Sequence, residues 1–301
     1  VLERTDAALA RMRAELESYP SDFAPAPAGW RACGPSGLPA EPQASAVAAA
    51  CLSVVVDAPA RAAALLLDPR VDEVVVRQMA LDEDTEGWQD LLPRLTVMLD
   101  EPARVSDEER TRHLCRRARK VVCRNYAHVQ MASAAGVPFD VAAPLSATNG
   151  ESAAWFGQQS ASCVWLPDEL SLDEMGEAAS RAACEGVRVG ALVLGYPQLM
   201  VTEHCLLTAE GPCSHSCGTC ERRRQERYLV EASGARLPVR VDARGRTRTF
   251  DACMLDRTED VDALLRFGAS GFAIDAMLRD KGELECAIDA LATACAAAGE
   301  A

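Results

Sequence analysis

Eight short apolar, β-branched runs alternate with Ala-rich or amphipathic stretches between residues 51 and 297, and this rhythm limits the fold more than any other feature. The expected strands are 51–57, 73–77, 95–100, 120–124, 139–143, 163–167, 189–195 and 271–275. Helical spacing follows most of them, at 59–67, 108–118, 126–135, 149–159, 171–186, 258–266 and 280–297. The acidic segment 80–93 leaves room only for a short helix. Such continuously apolar strands suit a parallel sheet covered on its outer face. Eight of these units point to an α/β fold of the (β/α)8 TIM-like barrel type rather than an open doubly wound sheet. No G-x-G-x-x-G and no P-loop motif occurs, so neither a dinucleotide site nor a P-loop site is indicated.

Two regions depart from the rhythm. Residues 1–18 have helical spacing, and 19–48 hold many of the prolines without periodicity, so 1–48 reads as a helix and linker ahead of a barrel over 49–301. A chain opening on Val1 rather than Met reads as a piece of a longer protein. The second departure is the stretch 196–270, far longer than an ordinary connection. It follows the C-terminal end of the seventh strand, which is the active face of such barrels. Within it, 228–231, 237–241 and 247–250 read as a small β-meander with Gly234 and Gly245 in its turns.

The net charge of −14 argues against a protein that coats nucleic acid. Between Glu221 and Phe250, however, nine arginines face four acids, a local surplus of five positive charges and a candidate anion site. The sequence shows no membrane span and no export segment, so a cytoplasmic location is expected. Its 13 cysteines are then expected as thiols rather than disulfides. With only Lys120 and Lys281, a Schiff-base mechanism has little to work with. The bias of Arg over Lys, together with abundant Ala, suggests a high-GC bacterial genome.

Four cysteines stand apart. Cys205, Cys213, Cys217 and Cys220 follow the spacing C-x7-C-x3-C-x2-C in a loop rich in Gly, Ser and Pro. Short gaps of this kind let a loop turn several thiolates toward one centre. Four thiolates suit a [4Fe–4S] cluster or a tetrahedral zinc. Zinc ribbons usually carry two C-x2-C pairs, and only one is present here. The last three cysteines also have the spacing of radical-SAM enzymes, but Thr219 fills the aromatic slot and the motif follows strand seven. Cys253 is an alternative to Cys217 or Cys220 as fourth ligand. Glu203 and His204 are candidates for proton transfer beside the cysteines, and His215 also flanks them.

These residues resemble the U32 family, historically described as collagenase-like peptidases. The resemblance is carried by Leu199-Met200-Val201-Thr202-Glu203-His204-Cys205, the Glu210-Gly211-Pro212-Cys213 step, Tyr228-Leu229-Val230, Leu237-Pro238-Val239 and Phe250-Asp251-Ala252. Upstream, Arg124-Asn125-Tyr126 and Leu166-Pro167-Asp168-Glu169-Leu170-Ser171 add to it. It is most similar to the C-terminal barrel of longer U32 proteins. The resemblance implies a barrel whose cysteines hold a [4Fe–4S] cluster. It also implies oxygen-independent hydroxylation of an RNA base or a small aromatic precursor, with prephenate as the inferred oxygen source. Arg222, Arg223, Arg224 and Arg227 would then bind the anionic partner, a small carboxylate such as prephenate or RNA phosphate. The rest of a longer U32 chain, or a U32 partner subunit, is a further expected partner. Two other readings stay open: a peptidase, and a non-catalytic docking domain held together by metal.

Overall fold

The computed structural model describes residues 50–145, 147–278 and 281–299. The helix expected over 1–18 and the linker over 19–48 lie outside the described residues. The strands are β1 (Cys51–Val56), β2 (Glu73–Arg77), β3 (Thr96–Met98), β4 (Lys120–Cys123), β5 (Phe139–Val141), β6 (Val164–Trp165) and β7 (Val189–Gly195). After these come β8 (Gln198–Thr202), β9 (Arg227–Val230), β10 (Arg236–Val241), β11 (Thr247–Phe250), β12 (Leu255–Asp256) and β13 (Gly271–Asp275). Strands β1 to β7 and β13 are parallel neighbours, and β6 pairs with β7 while β13 pairs with β1, so the sheet closes on itself. The α/β barrel expected from the rhythm is the fold observed.

The helices are α1 (Pro59–Leu65), α2 (Gln78–Glu83), α3 (Glu108–Arg117), α4 (Tyr126–Ala135), α5 (Gly150–Gln158), α6 (Leu172–Cys184), α7 (Val261–Arg266) and α8 (Lys281–Gly299). Local chemistry sets several of their starts. Asn125 accepts from the His128 amide to begin α4. Asn149 with Ser152, and Ser171 with Glu174, form capping boxes at α5 and α6.

The period of two along each strand sorts side chains between two environments. Val54, Val74, Val97, Val121 and Ile274 point outward into the main core beneath the helices. Their neighbours point inward, and many of these are polar. Lys120 is clamped between Glu73 and Asp140, both at 2.7 Å, and Thr96 donates to Glu73. The Trp165 indole donates to Asp140 at 3.1 Å. Its ring is accommodated by two glycines: a Cβ at Gly190 would stand 2.7 Å from it, and one at Gly271 would stand 3.4 Å from it.

The insertion differs from the expected three-stranded meander. A fourth strand, β8, joins it, giving the antiparallel order β8-β11-β10-β9, and β12 returns to pair antiparallel with β7. Buried ion pairs fasten this sheet to the barrel. Arg248, 1% exposed, bonds Asp100 and Asp242, each at 2.9 Å. Arg246 bonds Asp100 at 3.1 Å and also Asp107, and Arg244 bonds Asp82 at 3.0 Å and also Asp107. Three arginines spaced two apart thus meet acids supplied by the barrel on the segments after β2 and β3. Part of the arginine island is therefore neutralised from elsewhere in the chain.

Removing one member of a buried charge pair leaves its partner desolvated and unpaired. Arg248→Ala is expected to lower unfolding free energy by about 3–5 kcal/mol, read from urea denaturation. The exposed pair Arg266–Asp262 provides the control, since its loss should cost under about 1 kcal/mol.

Candidate functional site

Cys205, Cys213, Cys217 and Cys220 line one cavity of about 30 Å³ within the insertion. The loop that carries them is three short 3-10 turns, Leu206–Glu210, Cys217–Thr219 and Glu221–Arg224. Thr247 at the start of β11 anchors its first end: its hydroxyl donates to the His204 carbonyl at 2.9 Å and accepts from the Leu206 amide at 3.1 Å. The His215 amide donates to the Cys213 sulfur at 3.4 Å. Gly245 lies against the centre with φ of 79°, and a Cβ there would stand 2.8 Å from the Cys217 sulfur. That turn needs glycine for both its backbone and its clearance.

Burial, and then the neighbouring Cys205, Cys213 and Cys220, raise the Cys217 thiol above its ordinary pKa. The donor set facing the cavity is four thiols, without a carboxylate or imidazole, and soft thiolates select zinc or iron–sulfur centres. In donor chemistry alone, this lining suits a thiolate-held metal group. Among the described residues, no three His, Cys, Asp or Glu side chains gather closely enough to hold a single ion. Cys253 is exposed and does not line this cavity.

The arginines expected to meet an anion are unequally free. Arg222 donates to the Leu207 and Pro212 carbonyls. Arg223 has a side chain 6% exposed; it donates to the Cys217 and Gly218 carbonyls and pairs with Glu83 at the end of α2. Both therefore brace the cysteine loop. Arg227 is held by Glu210 at 2.6 Å. Arg224, 62% exposed, pairs with Glu221 at 3.4 Å and is the most available of the four. Glu203 pairs with Arg104, and its hydrogen bond to that guanidinium holds the carboxyl below the usual range. His204 is exposed, and its amide donates to Thr202.

A second site escaped the sequence reading. The barrel mouth opens into a cavity of about 140 Å³ that includes Arg77, Arg124, Asp168, Tyr196, Gln198 and Asp275. All six stand at or just after the C-terminal ends of barrel strands, where function is expected in this fold. The Arg77 guanidinium bonds Asp275 and Gln198. Burial lowers Arg124 to about 10, so it remains cationic at neutral pH, and it pairs with Glu101. Burial raises Asp168 to about 6, against the opposing pull of Arg257. Glu101 links the two regions, since it also accepts from Gln198 and lies 3.8 Å from Arg248. The available signal was positional: each of these polar residues ends an apolar run.

The sequence matches the family model of Peptidase family U32 over residues 115–300, more than half of the chain. No curated protein matches it. Among solved structures it is similar to the U32 peptidase Mk0906 at 13% identity and a TM-score of 0.43, covering 83% of this chain and 99% of that one. It is also similar to the thiamine phosphate pyrophosphorylase from Pyrococcus furiosus, at 8% identity and a TM-score of 0.45, with 84% and 98% covered. Among the described residues, no helix is long and apolar enough to cross a membrane. On the extent of the family match, the chain belongs to peptidase family U32.

Proposed function

We propose that this U32 chain is an iron–sulfur protein that carries a [4Fe–4S] cluster on Cys205, Cys213, Cys217 and Cys220. Its proposed task is oxygen-independent hydroxylation of an RNA base or a small aromatic precursor in the cytoplasm. The observation that supports the metal assignment is that these four thiols line one small cavity. The hydroxylation assignment rests on the resemblance carried by residues 199–213. A bound cluster would supply one-electron chemistry.

The chain's own residues would prepare that setting. Arg222 and Arg223 hold the cysteine loop through its carbonyls, and Arg223 ties it to Glu83. Arg244, Arg246 and Arg248 hold the insertion against the segments after β2 and β3. Arg224 is the guanidinium most open to an anionic group of the substrate, whether RNA phosphate or a carboxylate such as prephenate. Asp168, with its elevated pKa, is placed in the mouth to hold or release a proton near neutral pH.

Purification without oxygen, followed by iron, sulfide and zinc analysis and EPR, tests the metal assignment. About four irons and four sulfides per chain are expected, with loss of both in Cys205→Ala/Cys213→Ala and retention in Cys253→Ala. One zinc and no iron in the same preparation overturns it. A Cys253→Ala variant that alone loses iron moves the fourth ligand to that position. Gelatin cleavage by the iron-loaded chain would favour the peptidase reading over hydroxylation.

Thiol labelling gives an independent check. Burial lifts the Cys115 thiol to about 11 and raises Cys123 and Cys163 as well. In the folded protein these three should resist an alkylating reagent at pH 8, while exposed Cys184, Cys253 and Cys286 react within minutes. The four loop cysteines are expected to react in the metal-free chain and to be protected in the iron-loaded one, read residue by residue from peptide masses.

A further inference from the structure

We propose that the outer edge of the insertion sheet is a self-association surface: β9 pairs antiparallel with β9 of a second copy of this chain, joining two four-stranded sheets into one. Strand β9 is last in the order β8-β11-β10-β9, and among the described residues no strand lies on its outer side. Its apolar side chains are open to solvent, with Tyr228 39% exposed, Leu229 38% and Val230 68%. Edge strands are commonly guarded by a proline, a lysine or a bulge. Arg227-Tyr228-Leu229-Val230 carries no proline or lysine and pairs with β10 without a break in register.

The backbone pattern fixes which groups face outward. The Glu231 amide donates to the Ala235 carbonyl at 3.0 Å, so Glu231 faces the β10 side of the hairpin. Antiparallel ladders alternate. Leu229, opposite Leu237, and Arg227, opposite Val239, therefore face β10 as well. Pro238, opposite Tyr228, has no N–H to give in any case. Tyr228 and Val230 thus direct their N–H and C=O groups away from the sheet. A two-fold axis at Leu229 sets Tyr228 of each copy against the partner's Val230. Such a pair exchanges two main-chain hydrogen bonds, and the axis generates the pair twice.

The side chains select the same axis. With it at Leu229, Arg227 stands opposite the partner's Glu231, and Tyr228 opposite the partner's Val230. Opposite charges and aromatic–β-branched pairs are favourable cross-strand neighbours. An axis at Tyr228 would set Arg227 against the partner's Leu229, and an axis at Val230 would set Glu231 there instead. Of the three, the Leu229 axis alone matches charge with charge. Arg227 holds Glu210 through Nε and Nη2, and its Nη1 donates to the Glu226 carbonyl. That Nη1 carries a second hydrogen, which suits an acceptor across the axis. Glu231 is exposed and accepts from Ser233 at 3.2 Å. A contact made by one short strand is small, which sets the affinity at the weak end for protein pairs.

Sedimentation velocity of the full chain, run without oxygen over a dilution series, tests the pairing. A monomer–dimer equilibrium with a micromolar Kd is expected. Val230→Pro removes one outward N–H at an edge, where proline is tolerated. It should weaken the dimer at least tenfold, with circular dichroism confirming that the variant folds. Arg227→Glu and Glu231→Arg each set like charges across the axis, and each should weaken it at least tenfold. An equimolar mixture of those two variants restores opposite charges at both pairs and should associate nearly as tightly as the wild-type chain. Leu229→Cys should give a disulfide between the two substituted positions on mild oxidation, read from peptide masses, whereas Leu199→Cys on the opposite edge should not. A chain that stays monomeric up to millimolar concentration overturns the proposal, as does a dimer unchanged by Val230→Pro. A mixture of the two charge variants that associates no better than either alone overturns it too. If Val230→Pro does not fold, that mixture and the Leu229→Cys cross-link still decide the matter.

Discussion

The bond between Arg248 and Asp100 holds the two halves of this molecule in register. Asp100 lies just after β3, and Arg248 lies in the middle of β11. Burial keeps Asp100 above the usual carboxylate range even with Arg248 and Arg246 beside it. For Glu101 next to it, burial pulls the same way, but Arg124 and Arg248 outweigh it and the carboxyl is lowered. These adjacent acids thus serve different neighbours: Asp100 faces the insertion, while Glu101 also reaches Arg124 and Gln198 at the mouth. A continuous set of buried charges spans the distance between the sheet that follows the cysteines and the lumen. Such networks cost desolvation and return fixed geometry.

The barrel was legible because its strands are β-branched runs of ordinary length. The bounds expected for β2, β7 and β13 are the observed ones, and α4 likewise. Strand β8 was not legible: Leu199 and Met200 are exposed, so Gln198–Thr202 lacks the alternation that marks a half-buried strand. Strand β6 is shorter than its apolar run, covering only Val164–Trp165 before Pro167, which has no amide to donate.

The cysteine loop was legible from local spacing, because its members lie close in the chain and need only short turns to face one cavity. The partners of the arginines were not. Arg246 and Arg248 find Asp100 almost 150 residues away, a pairing that only the closed fold creates. Reading the island as one anion site treated its charge as unspent. The lumen was hidden for a related reason: Glu73, Arg77 and Lys120 sit at the ends of apolar runs and pass for strand boundaries. Cys184 and Cys286 are exposed, each on the outer side of its helix, α6 and α8.

Trp165, Gly190 and Gly271 form a floor whose parts depend on one another. A Cβ at Gly190 would stand 2.7 Å from the indole, and one at Gly271 would stand 3.1 Å from the Gly190 backbone. A larger residue at 190 must displace the ring, and a smaller residue at 165 leaves both glycines facing empty space. A side chain at 190 therefore needs a smaller or displaced ring at 165. The floor of the barrel is thus set by a pair of positions rather than by either one alone.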